Sequence, residues 1–380
     1  MSSHALLSPS GASRWLACTP SARLEEQFPD KASEAAAEGT LAHTLGELIL
    51  RHKAGKISRT VFKKELDSLT QDELFTNDMY EHADNYATFV LERLNETKGG
   101  LLFLEQLLDL TDFVPQGFGT GDAIVIADGI LDIIDLKYGK GVLVSAVENK
   151  QMMLYALGAL KAFDFIYYIQ AVRMTIYQPR LDNYSTYELT VEELLRWAEK
   201  ELIPKAALAF NGAGEYQPGK HCQFCRAKAS CKANAEYNLE LAKYEFTNAA
   251  LLTDADVADI LTRADLFTKW LSGVQDHALN EAINNGKKWP GYKLVEGRSV
   301  RQYSSENKVV EALHEAEYTD DTIYVKKLLG ITALEKEIGK TDFKKIVEPL
   351  LVKPQGKPTL VPESDKRPEF NNIEQAFSNI

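Results

Sequence analysis

The spacing of apolar positions changes period along this chain, and the changes mark out its elements. Through residues 32–55, Ala, Leu and Ile recur at helical spacing and stop near Gly55. Residues 78–96 repeat that pattern up to Gly99-Gly100, and residues 1–28 read as a short helix entered through Ser8-Pro9-Ser10. The period then shortens. Residues 101–110, 121–127, 130–137 and about 165–177 read as β-strands, with a helix over 146–162 between the last two. Helix, three strands, helix and strand in that order predict an α/β core with a mixed sheet flanked by helices.

Helical spacing resumes over 190–210 and over 252–285, until Trp289-Pro290-Gly291-Tyr292 interrupts it. Residues 290–304 read as a short hairpin, and 306–315 and 321–350 as helices. From Lys353 onward Pro354, Pro358, Pro362 and Pro368 stand among polar residues, the composition of an extended, partly disordered tail. The expected organisation is a core over 1–245, a mainly helical extension over 246–352 and a polar tail over 353–380.

The second and third strands flank Asp128-Gly129, a strong hairpin signal. If those two residues form the loop, Ala127 faces Ile130, Val125 faces Asp132, and Asp122 faces Asp135. Opposed side chains lie roughly 4.5–5.5 Å apart at Cβ and share a face. Lys137, two residues past Asp135, shares that face too, while Asp132 points to the other. Two carboxylates opposed across a ladder repel unless a cation sits between them. A divalent metal with a lysine beside it would account for the arrangement.

Composition is that of an ordinary globular protein, and no run of about 18 apolar residues suggests a membrane span. The start, Met1-Ser-Ser-His-Ala-Leu-Leu, has no leader pattern, so a cytoplasmic protein is expected. A net charge of −12 argues against coating nucleic acid through overall charge and leaves room for local basic tracks. Residues 220–232 hold Lys220, His221, Arg226, Lys228 and Lys232 with no acid, and residues 325–357 hold eight lysines against four acids.

Three of the four cysteines form Cys222-x2-Cys225-x5-Cys231, and Cys18 is the fourth. Cys-x2-Cys places two thiolates on one turn, which suits a metal or cluster better than a disulfide in a reducing compartment. Zinc and an iron–sulfur cluster both accept four thiolates, and spacing separates them weakly. Either would tie residue 18 to residues 222–231.

Several motifs now occur in one order: Gly39-x3-His43-x3-Glu47, a strand bearing Glu105, Gly119-Thr-Gly-Asp122, Asp135-Leu136-Lys137, Gln151-x3-Tyr155 and the cysteine pattern. In this order the chain resembles the RecB-like branch of the PD-(D/E)XK nucleases over about residues 8–235. It is most similar to the iron–sulfur members, such as the CRISPR-associated adaptation nucleases and the AddB-type domain, and to an uncharacterised phage and prophage family. The resemblance implies a restriction-endonuclease-like core. It also implies Mg²⁺ or Mn²⁺ held by Asp122, Asp135, the Leu136 carbonyl and His43, with Lys137 as the catalytic cation. Glu105 would support a second ion or a water, and Gln151 and Tyr155 would meet the active site or the nucleic-acid backbone. Cys18, Cys222, Cys225 and Cys231 would hold a [4Fe–4S] cluster.

The expected activity is metal-dependent hydrolysis of DNA, by an exonuclease acting on free ends or single-stranded regions in phage replication or recombination. The host bacterial cytoplasm would be its setting. No Gly-rich loop followed by Lys and Ser or Thr is present, so processivity would require a helicase or recombination partner, or a ring-shaped homo-oligomer. Two alternatives stay open: a catalytically silent DNA-binding or assembly protein on the same fold, and a zinc-stapled scaffold.

Overall fold

The computed structural model describes residues 5–29, 34–127, 129–240, 252–295, 305–324 and 328–352. A 3-10 turn at Pro9–Gly11 leads into α1 (Ala12–Ala17) and α2 (Ser21–Glu25). The sequence reads as one helix here. It breaks because Cys18 adopts a non-helical φ of −132° and ψ of 87°. There follow α3 (Glu34–Lys53), α4 (Arg59–Leu69) and α5 (Asn77–Glu96). α4 was not anticipated, although Phe62, Leu66 and Leu69 fall at helical spacing and pack against the core. Its Ser58 cap accepts a bond from the Val61 N–H at 3.4 Å.

The sheet has five strands in sequential order: β1 (Leu101–Asp109), β2 (Phe118–Ala127), β3 (Gly129–Leu136), β4 (Ile169–Gln178) and β5 (Asn183–Thr190). β3 and β4 run parallel, joined through α6 (Lys150–Phe163), and the other pairs are antiparallel. The molecule is therefore α/β with a mixed sheet, as the order of elements implies. β5 escaped the sequence reading because it is a polar edge strand, Asn-Tyr-Ser-Thr-Tyr-Glu-Leu-Thr, with few branched aliphatics. Tyr187 and Leu189, its inward residues, pack on the core.

Each face of the sheet carries its own core. Ile124, Ile126, Leu131, Ile133, Val172 and Met174 pack beneath α6 and the N-terminal helices. Ala123, Val125, Ile134 and Leu136 pack against α3 and α5. Asp132 shares the α3 and α5 face with Ile134 and Leu136, three positions before Asp135, and is fully buried, with Arg173 Nε 2.9 Å from its Oδ2. α7 (Val191–Trp197) runs through a π-turn at Ala198–Leu202 into α8 (Ile203–Phe210). The cysteine-bearing turn at Lys220–Phe224, α9 (Lys232–Leu239) and α10 (Asp254–Asn285) complete this part. Contacts divide the chain into Met1–Lys287 and Lys288–Ile380, so α10 groups with the core rather than with the extension expected from residue 246. The second unit holds α11 (Glu306–Glu315), α12 (Asp320–Ile323), α13 (Ile331–Ile338) and α14 (Lys340–Ile346). No strand forms over 290–295, and the rest of the anticipated hairpin, like the tail from 353, lies outside the described residues.

α6 lies close on β1. A Cβ on Gly158 would stand 2.8 Å from Leu108 Cβ and 3.0 Å from Leu110 Cδ2. In an exposed helix Gly→Ala is favourable by about 1 kcal/mol. Here Gly158→Ala is expected to destabilise by about 1–3 kcal/mol, the cost of overpacking, as read from its denaturant midpoint. An unchanged or raised midpoint would show that α6 is free to shift.

Candidate functional site

The register of β2 on β3 follows the hairpin arithmetic: Ala127 pairs with Ile130, Val125 with Asp132 and Ala123 with Ile134. Gly129, in the connection, takes a left-handed φ of 91°. The ladder ends at Ala123 and Ile134. One step further, Asp122 and Asp135 stand where β2 stays with β1 while β3 continues along β4. On the other side, β1 pairs with β2 at Leu104–Ala123 and Gln106–Gly121, and the intervening Glu105–Asp122 pairing is missing. Glu105 has a left-handed φ of 46°, a strained value for a side chain of this size. Glu105, Asp122 and Asp135 thus form one row across three strands, at a split in the sheet that α3 reaches from one face and α6 from the other.

The helices supply cations and donors. His43 Nδ1 of α3 lies 3.2 Å from Asp122 Oδ2, and the Leu136 N–H donates to that oxygen at 2.8 Å. Lys137 Nζ lies 2.9 Å from Asp135 Oδ2, yet that buried oxygen has no well-directed hydrogen bond. From α6, Gln151 Nε2 donates to Asp135 Oδ1 at 3.4 Å and to the Tyr155 hydroxyl at 3.0 Å. One ligand atom each from His43, Glu105 and Asp122 lies within 4.8 Å of the others. The residues expected at the site from sequence therefore lie around this row, but among the described residues only His43, Glu105 and Asp122 bring ligand atoms together, and Asp135 stands outside that group against Lys137 and Gln151.

Two further residues join them. A cleft of about 200 Å³ is lined by His43, Glu105, Asp122 and Leu136 together with Glu47 and Tyr86. Glu47 follows His43 by one helical turn, a spacing that puts both on one face. Tyr86 comes from α5, and its hydroxyl donates to the Ile134 carbonyl at 3.4 Å. Nothing in its local sequence marks it.

Electrostatics follow from crowding in a poorly solvated place. Burial works against charge on His43, but Asp122 and Asp135 outweigh it and hold its pKa at about 9. Burial raises Asp135, with Asp122 adding to the rise against Lys137. Burial also opposes the charge of Asp122, but His43, Lys137 and the Leu136 N–H prevail and its pKa falls. Desolvation, Asp122 and Glu47 push the Glu105 carboxyl up to about 7. The row is short of positive charge, and its oxygens suit a hard divalent cation.

The four cysteines line a second cleft, open to solvent, together with Arg14, Tyr216 and His221. They sit at element ends: Cys18 closes α1, Cys222 lies in the 3-10 turn, Cys225 follows it and Cys231 caps α9. Backbone N–H groups of Gln217 and Ser21 point at Cys18, that of Gly219 at Cys222 and that of Ala227 at Cys225. Burial nonetheless keeps these three thiols above their usual pKa. Such donors stabilise thiolates, which a bound cation would generate. The sulfurs do not converge as closely as the ligand atoms of His43, Glu105 and Asp122 do.

The basic residues around the cysteines are partly committed. The Arg226 guanidinium donates to the Phe28 carbonyl at 3.3 Å, Lys228 Nζ donates to the Gln223 carbonyl at 2.9 Å, and Lys232 lies 3.6 Å from Glu236. Arg226 and Lys228 thus brace the loop, so their charge is only partly available to phosphate. Of the second lysine run, 325–327 and 353–357 lie outside the described residues.

The raised His43 pKa makes a signed prediction for the metal-free protein. Its stabilisation is fully present below about 6.5 and lost as pH rises through about 9. The melting temperature of the wild type should fall relative to His43→Gln across that window. Parallel curves for the two proteins would contradict the His43–Asp122 pair.

Comparison with known proteins adds the following. A solved structure described as "Crystal structure of SSO0001" aligns with 52% of this chain and 98% of its own, at 15% identity and a TM-score of 0.24, too low to carry an argument. Among the described residues no helix is long and apolar enough to cross a membrane. The family "Protein of unknown function (DUF2800)" matches residues 4–368, and the chain belongs to that family.

Proposed function

We propose that this protein is a metal-dependent DNA nuclease whose centre is the Glu105–Asp122–Asp135 row. The observation that carries the reading is the row itself: three carboxylates in cross-strand register at a split in the sheet, with His43 and Lys137 against them. A purely structural role would not gather so much like charge in a cleft, since it opposes folding.

Asp122, Asp135, His43 and the Leu136 carbonyl would hold Mg²⁺ or Mn²⁺, with Glu105 in reach. The fit is good: the Asp135 Oδ2 lacks a directed partner, and hard oxygen donors predominate. The ion would act as a Lewis acid on a phosphodiester and lower the pKa of water. The chain's own residues do the rest. Lys137 puts an ammonium beside the row, where it stabilises negative charge growing on phosphate oxygens. Gln151 orients Asp135 through Oδ1. Glu105, held up to about 7 by burial, Asp122 and Glu47 before an ion binds, would give up its proton as the ion arrives. The mode we favour is an exonuclease acting on DNA ends, in phage replication or recombination, with a helicase or oligomeric ring for processivity.

The cysteine cavity supports a [4Fe–4S] cluster over zinc. A single tetrahedral ion with bonds of roughly 2.3 Å draws thiolates together. Here the four cysteines line one cleft without their sulfurs converging so closely, and N–H donors face those of Cys18, Cys222 and Cys225.

After anaerobic purification, end-labelled linear and circular DNA, single- and double-stranded, should be digested with Mn²⁺ present. Asp135→Asn and Lys137→Ala should each lower cleavage by about a thousandfold or more. Full activity in both variants would remove the site, and no cleavage by the wild type would leave a DNA-binding or assembly role. Separately, Cys18→Ala should lose iron as completely as Cys222→Ala. Zinc in place of iron, or full iron content in Cys18→Ala, would overturn the four-cysteine cluster.

A further inference from the structure

Between Lys137 and Gln151 the chain crosses a segment with little of its own to hold it. Its sequence from Tyr138 is Gly-Lys-Gly-Val-Leu-Val-Ser-Ala-Val-Glu. Neither Gly139 nor Gly141 has a neighbour that a Cβ would touch. Val142, Leu143 and Val147 are 49%, 59% and 57% exposed, so beyond the buried Tyr138 apolar burial anchors the segment only at Val144 and Ala146.

Polar side chains of β4 and β5 supply the restraint. Gln178 is 1% exposed, and every polar atom of its amide is used. Nε2 donates to the Gly139 and Val142 carbonyls, both at 2.8 Å. Oε1 accepts from the Val144 N–H and from Asn183 Nδ2, both at 3.1 Å. Asn183 Nδ2 also donates to the Val144 carbonyl at 2.8 Å, and Ser185 Oγ accepts the Ala146 N–H at 2.8 Å. Asn149 then caps α6, two residues before Gln151, which meets Asp135.

We infer that Gln178 is a positioning residue for the carboxylate row, clasping segment 139–146 and thereby fixing Lys137 on one side and Gln151 on the other. This rests on the reading of the row as a nuclease centre. A second consequence of that register is close by: the Lys137 N–H donates to the Tyr177 carbonyl at 2.8 Å, so Gln178 follows directly the residue that pins the lysine's backbone. A carboxamide is required at this place. Two donors must meet carbonyls while an acceptor meets N–H groups, a combination that neither an acid nor an amine provides.

The test compares the full chain with Gln178→Met, which keeps the length and removes all four contacts, and with Asn183→Ala, which removes two. Amide hydrogen exchange over 139–147 should quicken in both, more in the former. Mn²⁺ affinity, read by titration, should weaken about tenfold in Gln178→Met, and kcat on saturating DNA should fall roughly ten- to a hundredfold. KM for DNA should stay within about twofold, since Gln178 is buried and offers no surface to substrate. Unchanged exchange over 139–147 would overturn the clasp. Faster exchange with unchanged Mn²⁺ affinity and kcat would overturn the positioning role, leaving a merely structural glutamine. Failure of the nuclease reading shows in the wild type, as no Mn²⁺ bound and no DNA cut, whereas failure of the clasp shows only in the variants.

Discussion

The pairing of Ala127 with Ile130 sets where every functional side chain at the centre of the sheet can stand. With two residues in the connection, each position on β2 has one partner on β3, and a slip of one residue would turn Asp122 or Asp135 to the wrong face. The same register carries through β1, where Gln106 pairs with Gly121, and delivers Glu105 to the row. The sheet then parts at that row. Had β2 and β3 stayed paired one step further, both aspartates would project from one face of a continuous sheet, instead of meeting His43 from α3 and Gln151 from α6. Register brings the charges together, and strand divergence opens them to a ligand.

Gathering three carboxylates has a cost that the surrounding residues offset without removing. Asp122 has His43 and a backbone N–H, while Asp135 has Lys137 and the Gln151 amide. Each aspartate thus keeps its own cation in the metal-free protein. Glu105 has none in contact, and it is the group whose proton is held to about 7. A divalent ion would compete with the proton on His43 and would relieve both Glu105 and the undirected oxygen of Asp135. Metal affinity should therefore be coupled to proton release, as in any site whose ligands must first deprotonate.

How much of this was legible in the sequence depends on the range of the interaction. The Asp122–Asp135–Lys137 geometry follows from local rules alone, a two-residue turn and a period of two. His43 and the cysteines were legible through the order of motifs. Tyr86 and Gln178 were not, because their roles come from contacts with carbonyls distant in sequence, and buried glutamine or tyrosine carries no periodic mark. β5 and α4 were missed for the opposite reason: their signals are present but weak, one in a polar edge strand and one in a helix with no fully buried residue. The basic run at 220–232 was legible as charge but not as contact. The carbonyls of Phe28 and Gln223, which engage Arg226 and Lys228, are invisible to a count of charges.

The cysteine region and the carboxylate row are joined by packed contacts, so a cluster at the cysteines would have a mechanical route to the row. Buried Glu25 of α2 binds Arg14 of α1 at 2.7 Å and accepts the Arg226 N–H beside Cys225 at 2.7 Å. Trp15 of α1 donates from Nε1 to the Ser8 carbonyl at 3.0 Å, fixing the turn that begins at Pro9. Pro9 in turn sits so close to β2 that a Cβ on Gly119 would stand 2.7 Å from its Cγ and 3.0 Å from Tyr155 Cε1. Tyr155 holds Gln151, which holds Asp135. Gly119 is needed there for want of space, and its place at the head of β2, three residues before Asp122, puts the N-terminal brace against the strand that carries the site. Thiolates drawn onto a common cluster would tighten Cys18 to Cys222–Cys231, and so press α1 and its turn onto β2 and α6. The distant cysteines and the carboxylates thus belong to one packed scaffold, and a group bound by the cysteines would act on the carboxylates through it.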